Sequence, residues 1–136
     1  MPELPLPDPV RQMLAKPNPA VLATLRSDGH PVTVATWYLL EDDDRVLFNL
    51  DHTRTRLKHL RRDPRVSMTV LDADDWYTHV SLIGRVLELV DDQDHREIDR
   101  LSRHYTGKPY PDRESPRVSA SMVVERWHGW GKILDR

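Results

Sequence analysis

Apolar and polar positions keep a period of about two over most of this chain, interrupted by three stretches with helical spacing. "AVLATL" (20–25) is short and nearly continuously apolar, as expected of a strand buried on both faces. "RSDGH" (26–30) holds an Asp-Gly pair between two strand-like runs, a hairpin signal. "PVTVATWYLL" (31–40), rich in β-branched and aromatic residues, predicts the second strand, and "RVLFNL" (45–50) the third across the polar turn "EDDD". "RVSMTVL" (65–71) alternates cleanly, with Val66, Met68 and Val70 on one face. "WYTHVSLIGRVLELV" (76–90) predicts a long fifth strand, and its interior Gly84 predicts a bulge or bend of the kind that curls a sheet. The last strand falls within 117–134.

The helical stretches are "DPVRQMLAK" (8–16), with Asp8 as cap and Val10, Met13 and Leu14 on one face, the segment after Asp51, and "DDQDHREIDRLSRHY" (91–105), with Ile98 and Leu101 inward. "PNP" (17–19) stops the first, and Asp63-Pro64 closes the second. Six strands with short connections, and helices only as inserts, predict a mostly β protein: a small antiparallel barrel forming one domain over 1–136, with a helix and arm at 1–17 and the barrel at 18–134.

Composition changes this picture little, and charge changes it more. The 136 residues include no cysteine, so disulfides and thiolate metal sites are excluded and the cytoplasm is the expected compartment. No apolar run approaches the roughly 20 residues of a membrane span. The net charge of −2 is distributed unevenly. Arg54 to Arg65 carries six basic residues against one acid, a balance of +5, which leaves −7 for the remainder. A concentrated positive patch on an acidic protein points to a localised anion and away from nucleic acid.

The position of that charge is informative. Thr53 or Thr55 is the expected N-cap, which puts Arg54, Arg56 and Lys58 at the helix start. Cations there oppose the helix dipole, each at about 0.3–1 kcal/mol. A bound phosphate reverses the sign, because free amides, dipole and side chains then all favour it. Arg61, Arg62 and Arg65 come later, where cations are tolerated, and read as a solvated face.

A strand ending "LFNL", then "RTRLKHLRRDPRVSMTV", preceded by "VLATLRSDGHPVTVATWYLL" and followed by "VSLIGRVLELV", resembles the pyridoxamine 5'-phosphate oxidase-like split-barrel family over about residues 18–134. "LRRDPRVS", together with the lack of that oxidase's C-terminal substrate motif, resembles the branch that uses the deazaflavin coenzyme F-420. The resemblance implies a six-stranded, FMN-binding-like split barrel that pairs as a homodimer, with a cofactor in each of two grooves at the subunit interface. It implies that Arg54 and Arg56, with Thr55 between them and Lys58 beside them, hold the cofactor phosphate. Val34, Ala35, Thr36, Asn49 and Leu50 would line the ring system, largely through backbone groups. His79 stands where oxidase members carry an amide side chain, a departure that favours a non-oxidase chemistry, and Val34 stands where they carry an arginine, which thins the contacts of a standard FMN phosphate site and favours F-420. The loop before the fifth strand would bring Trp76 and Tyr77 to the partner's groove.

The implied activity is hydride transfer from the reduced deazaflavin to an unsaturated or electron-poor small molecule, with solvent, His79 or Tyr77 as proton source. The alternatives are an FMN-dependent oxidoreductase of the same fold and a non-catalytic dimer that carries a flavin-like ligand or haem. None of the seven histidines is spaced as a metal-ligand pair, so no metal is expected. His52 could approach the groove, and Lys108 and Arg113 could reach an acidic cofactor tail. Trp127 and Trp130 are expected to pack the barrel or the dimer seam.

Overall fold

The computed structural model describes residues 4–134. Its elements are α1 (Asp8–Leu14), β1 (Ala20–Leu25), β2 (Pro31–Thr36), β3 (Leu39–Leu40), β4 (Val46–Asp51), α2 (Thr55–Arg62), β5 (Arg65–Leu71), β6 (His79–Asp91), α3 (Arg96–Thr106) and β7 (Arg117–Trp130). A single antiparallel sheet runs in the order β2-β1-β5-β6-β7-β4-β3. The two edge strands, β2 and β3, are consecutive in the chain and separated only by Trp37 and Tyr38. The sheet must therefore curl until its edges approach, and the result is a barrel left split at that seam.

That seam corrects the expected six strands to seven. The predicted second strand (31–40) breaks because Tyr38 turns fully inward, where its hydroxyl donates to Leu14 O at 2.7 Å. Trp37 instead stacks on Tyr105 of α3, with ring centroids 5.2 Å apart. The fifth predicted strand starts three residues late, because turn bonds continue through Thr78: its amide donates to Asp75 O and its hydroxyl to the Asp75 carboxylate. The last helix also starts late. Asp94 and His95 adopt left-handed backbone, and the Asp92 carboxylate accepts from the amides of Glu97 (2.8 Å) and Ile98 (2.9 Å).

Inward residues alternate along β1, β5 and most of β6 and β7, β4 is buried on both faces from Val46 to Leu50, and together they pack a core that includes Leu22, Phe48, Met68, Leu82 and Met122. The Gly84 bulge is present as a register shift against β7. A Cβ at Gly84 would lie 1.8 Å from the Val123 carbonyl oxygen, so only glycine allows β6 and β7 to approach so closely. Helix α2 docks through Leu57 and Leu60 and through buried His59, whose Nδ1 lies 2.9 Å from the Thr24 hydroxyl on β1. No described helix is long and apolar enough to cross a membrane.

Two predictions follow from this packing. Gly84→Ala should destabilise the protein by about 3 kcal/mol, since backbone must move to admit the methyl group; urea unfolding measures it, and an unchanged midpoint would refute the close approach. Burial also pushes the pKa of the Tyr38 hydroxyl well above the ordinary tyrosine range and that of Tyr105 up to about 12. The stability that these neutral phenols contribute is complete below the unfolded value of about 10 and is lost as pH rises toward the folded values. Unfolding free energy should fall from about pH 10 to 12, and Tyr105→Phe should flatten that fall.

Candidate functional site

A cleft of about 650 Å³ opens at the split, where β2 and β4 face each other without pairing. Ala35, Thr36 and Trp37 form one wall, and Asn49, Leu50 and Asp51 at the end of β4 form another. Pro17, Pro19 and Ala20 close one side, and Ile98, Leu101 and Tyr105 of α3 close a second. Arg54 and Arg56 enter from the start of α2, and Tyr110 and Arg117 from the loop and strand after α3.

The start of α2 has no side-chain cap. Arg54, not Thr53 or Thr55, is the N-cap residue, in extended backbone. Thr53 is committed elsewhere: its amide and hydroxyl both donate to Asp51 Oδ1, at 2.9 and 2.7 Å, which holds the Asp51 carboxyl below its ordinary range. Thr55 is already the first helical residue. The first-turn amides of Thr55 and Arg56 lack intrahelical acceptors by their position. Among the described residues, neither Arg54 nor Arg56 has an acidic partner within ion-pair distance. Arg56 Nε is buried with no hydrogen-bond partner. Burial, and secondarily the adjacent charge of Arg54, pulls the Arg56 guanidinium below its ordinary value. An anion at this corner would satisfy the orphaned N–H and offset both costs, so a phosphate-bearing cofactor fits the residues present.

The later cations behave differently. Arg65 makes a two-pronged contact with the Asp63 carboxylate, at 3.0 and 2.7 Å, which pulls Asp63 down to about 2. Arg62 donates to Leu25 O.

Of the residues singled out in the sequence, Arg54, Arg56, Ala35, Thr36, Asn49 and Leu50 line this cleft. Val34 does not: its side chain packs against the core, as the inward partner of alternating β2. Thr55 and Lys58 are exposed on α2 outside the lining. Trp76, Tyr77 and His79 also lie outside the cleft of their own chain, because the loop before β6 belongs to another part of the sheet. Trp76 and Tyr77 are 67% and 61% exposed, and His79 Nδ1 donates to Tyr77 O at 3.0 Å. His52 is bonded to Pro116 O instead of entering the cleft. Arg113 is held by Asp99 at 2.7 Å, and Lys108 is exposed outside the lining. Trp127 is in the core, whereas Trp130 is 47% exposed. Among the described residues, no group of three His, Asp or Glu could hold a metal ion.

Sequence reasoning missed Arg117, Trp37, Tyr105 and Tyr110 as lining residues. Their signal is long-range: the Trp37–Tyr105 stack and the Arg117 guanidinium 4.8 Å above the Tyr110 ring exist only once α3 is docked.

The chain is similar to several solved structures. An F420 reductase superposes with a TM-score of 0.80 at 26% identity, covering 90% of this chain and 98% of that one. A conserved hypothetical protein from Mycobacterium tuberculosis gives 0.76 at 27% identity, covering 98% and 90%. A putative pyridoxamine 5'-phosphate oxidase from Listeria innocua gives 0.67 at 18% identity, covering 90% and 95%, a likeness of fold alone. No curated protein matches the chain. The sequence profile of the pyridoxamine 5'-phosphate oxidase family matches residues 6–131, and with the split seven-stranded sheet this makes the chain a member of that family.

Proposed function

We propose that the cleft binds coenzyme F-420 and that the protein is a deazaflavin-dependent oxidoreductase acting as a homodimer on a small unsaturated or electron-poor molecule. The observation that carries this reading is the buried, unpartnered Nε of Arg56 beside Arg54, a site with the chemistry of a phosphate receptor. The likeness to an F420 reductase supports the choice of coenzyme.

In this reading Arg54, Arg56 and the first-turn amides of α2 hold the phosphate. Ala35, Thr36, Asn49 and Leu50 offer strand edges along which the ring system lies. When bound, the reduced coenzyme supplies the hydride. The protein's part is orientation and exclusion of water, which explains a cleft without an obvious acid–base pair. Dimerisation brings Trp76, Tyr77 and His79 of one subunit over the groove of the other, where they wall the substrate side. His79 Nδ1 is committed as donor to Tyr77 O, so its other nitrogen can give up a proton only from the imidazolium form. Tyr77 and solvent are the other donors.

The FMN alternative uses the same phosphate corner, and the ring decides between them. Fluorescence titrations with F-420 and with FMN, side by side, should show micromolar binding of F-420 and weaker binding of FMN. The reverse order would replace the coenzyme, and binding of neither would overturn the reading. Arg56→Ala should weaken coenzyme binding about tenfold or more, as expected when a charge-assisted hydrogen bond is lost. An unchanged affinity would remove the phosphate from this corner. A haem carrier would be indifferent to the same substitution.

A further inference from the structure

Arg117 is the third guanidinium of the cleft, and the fold holds it in place. It opens β7 directly opposite Asp51, the last residue of β4, and Arg54 follows Asp51 by three residues. The Arg54 amide turns back onto Asp51 O, so the backbones of Arg117 and Arg54 both lie beside Asp51. Arg117 Nε donates to Asn49 Oδ1 at 2.7 Å, and the guanidinium lies over Tyr110. Asn49 cannot flip without loss, because its Nδ2 donates to Asp92 Oδ2 and Ser119 Oγ, at 3.1 and 3.0 Å. Asp92 in turn is fixed by the first-turn amides of α3. This chain of contacts fixes one edge of the Arg117 fork. Among the described residues it gives neither Nη a carboxylate within ion-pair distance.

Three guanidinium groups therefore line one cleft, in which Asp51 is the one carboxylate among the lining residues. We propose that Arg117 is a third anion-binding arm, and that the cleft takes a ligand whose tail carries two negative charges. The inference rests on the functional reading only in expecting that tail to belong to the coenzyme. The two charges can sit on one phosphomonoester or be divided between a phosphodiester and a nearby carboxylate. Asn49 is then a positioning residue that acts through Arg117.

The test uses small anions at pH 8 and constant ionic strength, read by the NMR signals of the Thr55 and Arg56 amides and of Arg117 Nε–H. Methyl phosphate should move all three on a single isotherm. Arg117→Gln should weaken that binding about tenfold, Arg117→Lys should weaken it less, and Asn49→Ala should weaken it with Arg117 intact. Thermal unfolding of each variant establishes that it is folded. The wild-type preference for methyl phosphate over singly charged dimethyl phosphate should shrink in Arg117→Gln. An Arg117 signal that answers to acetate and not to dimethyl phosphate would put the second charge on a separate carboxylate. The proposal is overturned if Arg117 Nε–H responds to none of these anions, or if Arg117→Gln binds methyl phosphate as the wild type does; Arg117 is then a strut between β7, Asn49 and Tyr110. Methyl phosphate binding with no binding of F-420 or FMN would overturn the function and leave this site standing.

Discussion

Asn18 is fully buried, and all of its polar groups are used. Its side-chain amide donates to Met13 O and to the Tyr38 hydroxyl, and its side-chain oxygen accepts from the Ala73 amide. Its own carbonyl accepts from the Tyr105 hydroxyl at 2.6 Å, and its amide donates to Lys16 O. One residue thus joins the end of α1, the seam between β2 and β3, the loop before β6 and helix α3. Each such bond contributes only about 1 kcal/mol net, but leaving any of them unmade in this interior costs about 1–3 kcal/mol. The network therefore specifies an arrangement more than it adds stability, and that arrangement is the cleft. Pro17, Pro19, Trp37 and Tyr105 line it because Asn18 holds the segments that carry them.

Against that background the orphaned Nε of Arg56 stands out. Buried polar atoms in folded proteins are nearly all paired, and here even a neutral amide is satisfied at every atom. A guanidinium left half-buried, next to a second guanidinium and at the positive end of a helix, violates three local rules at once. Local violations of this kind concentrate where a ligand compensates them. The contrast with Arg65, which opens β5 just beyond the other end of that helix and has a carboxylate in a two-pronged contact, shows that acidic partners were available to this segment.

What was legible in the sequence was what depends on near neighbours. Period-two runs gave most strands, the Asp-Gly pair gave the β1–β2 hairpin, and Gly84 marked the bulge. The basic pair at the start of α2 was visible because helix polarity follows from a few adjacent residues. Features set by distant partners were hidden. Trp37 and Tyr38 read as strand, since nothing local says that Tyr38 bonds to Leu14 or that Trp37 stacks on α3. "PNP" read as a helix stop, with no hint that its asparagine is the hub. Arg113 and Arg117 are equally basic and four residues apart; Asp99, fourteen residues before Arg113, captures one and leaves the other for the cleft. Val34 was assigned to the ring largely through backbone groups; its side chain packs against the core and is not among the residues that line the cleft.

The cleft is well supplied to hold an anion and poorly supplied to do proton chemistry alone. Arg54, Arg56 and Arg117 are permanent cations, and Asp51 is the one carboxylate among the residues that line it. That carboxylate is engaged by Thr53, which keeps it ionised and makes it a poor acid. The other polar side chains present, such as Asn49 and Tyr105, are tied into the scaffold by bonds to Arg117 and to Asn18 O. A site built in this way fixes one end of a ligand and leaves reactivity to the ligand's other end. That division of labour suits a coenzyme that carries its own chemistry, with the protein setting where its reactive face lies.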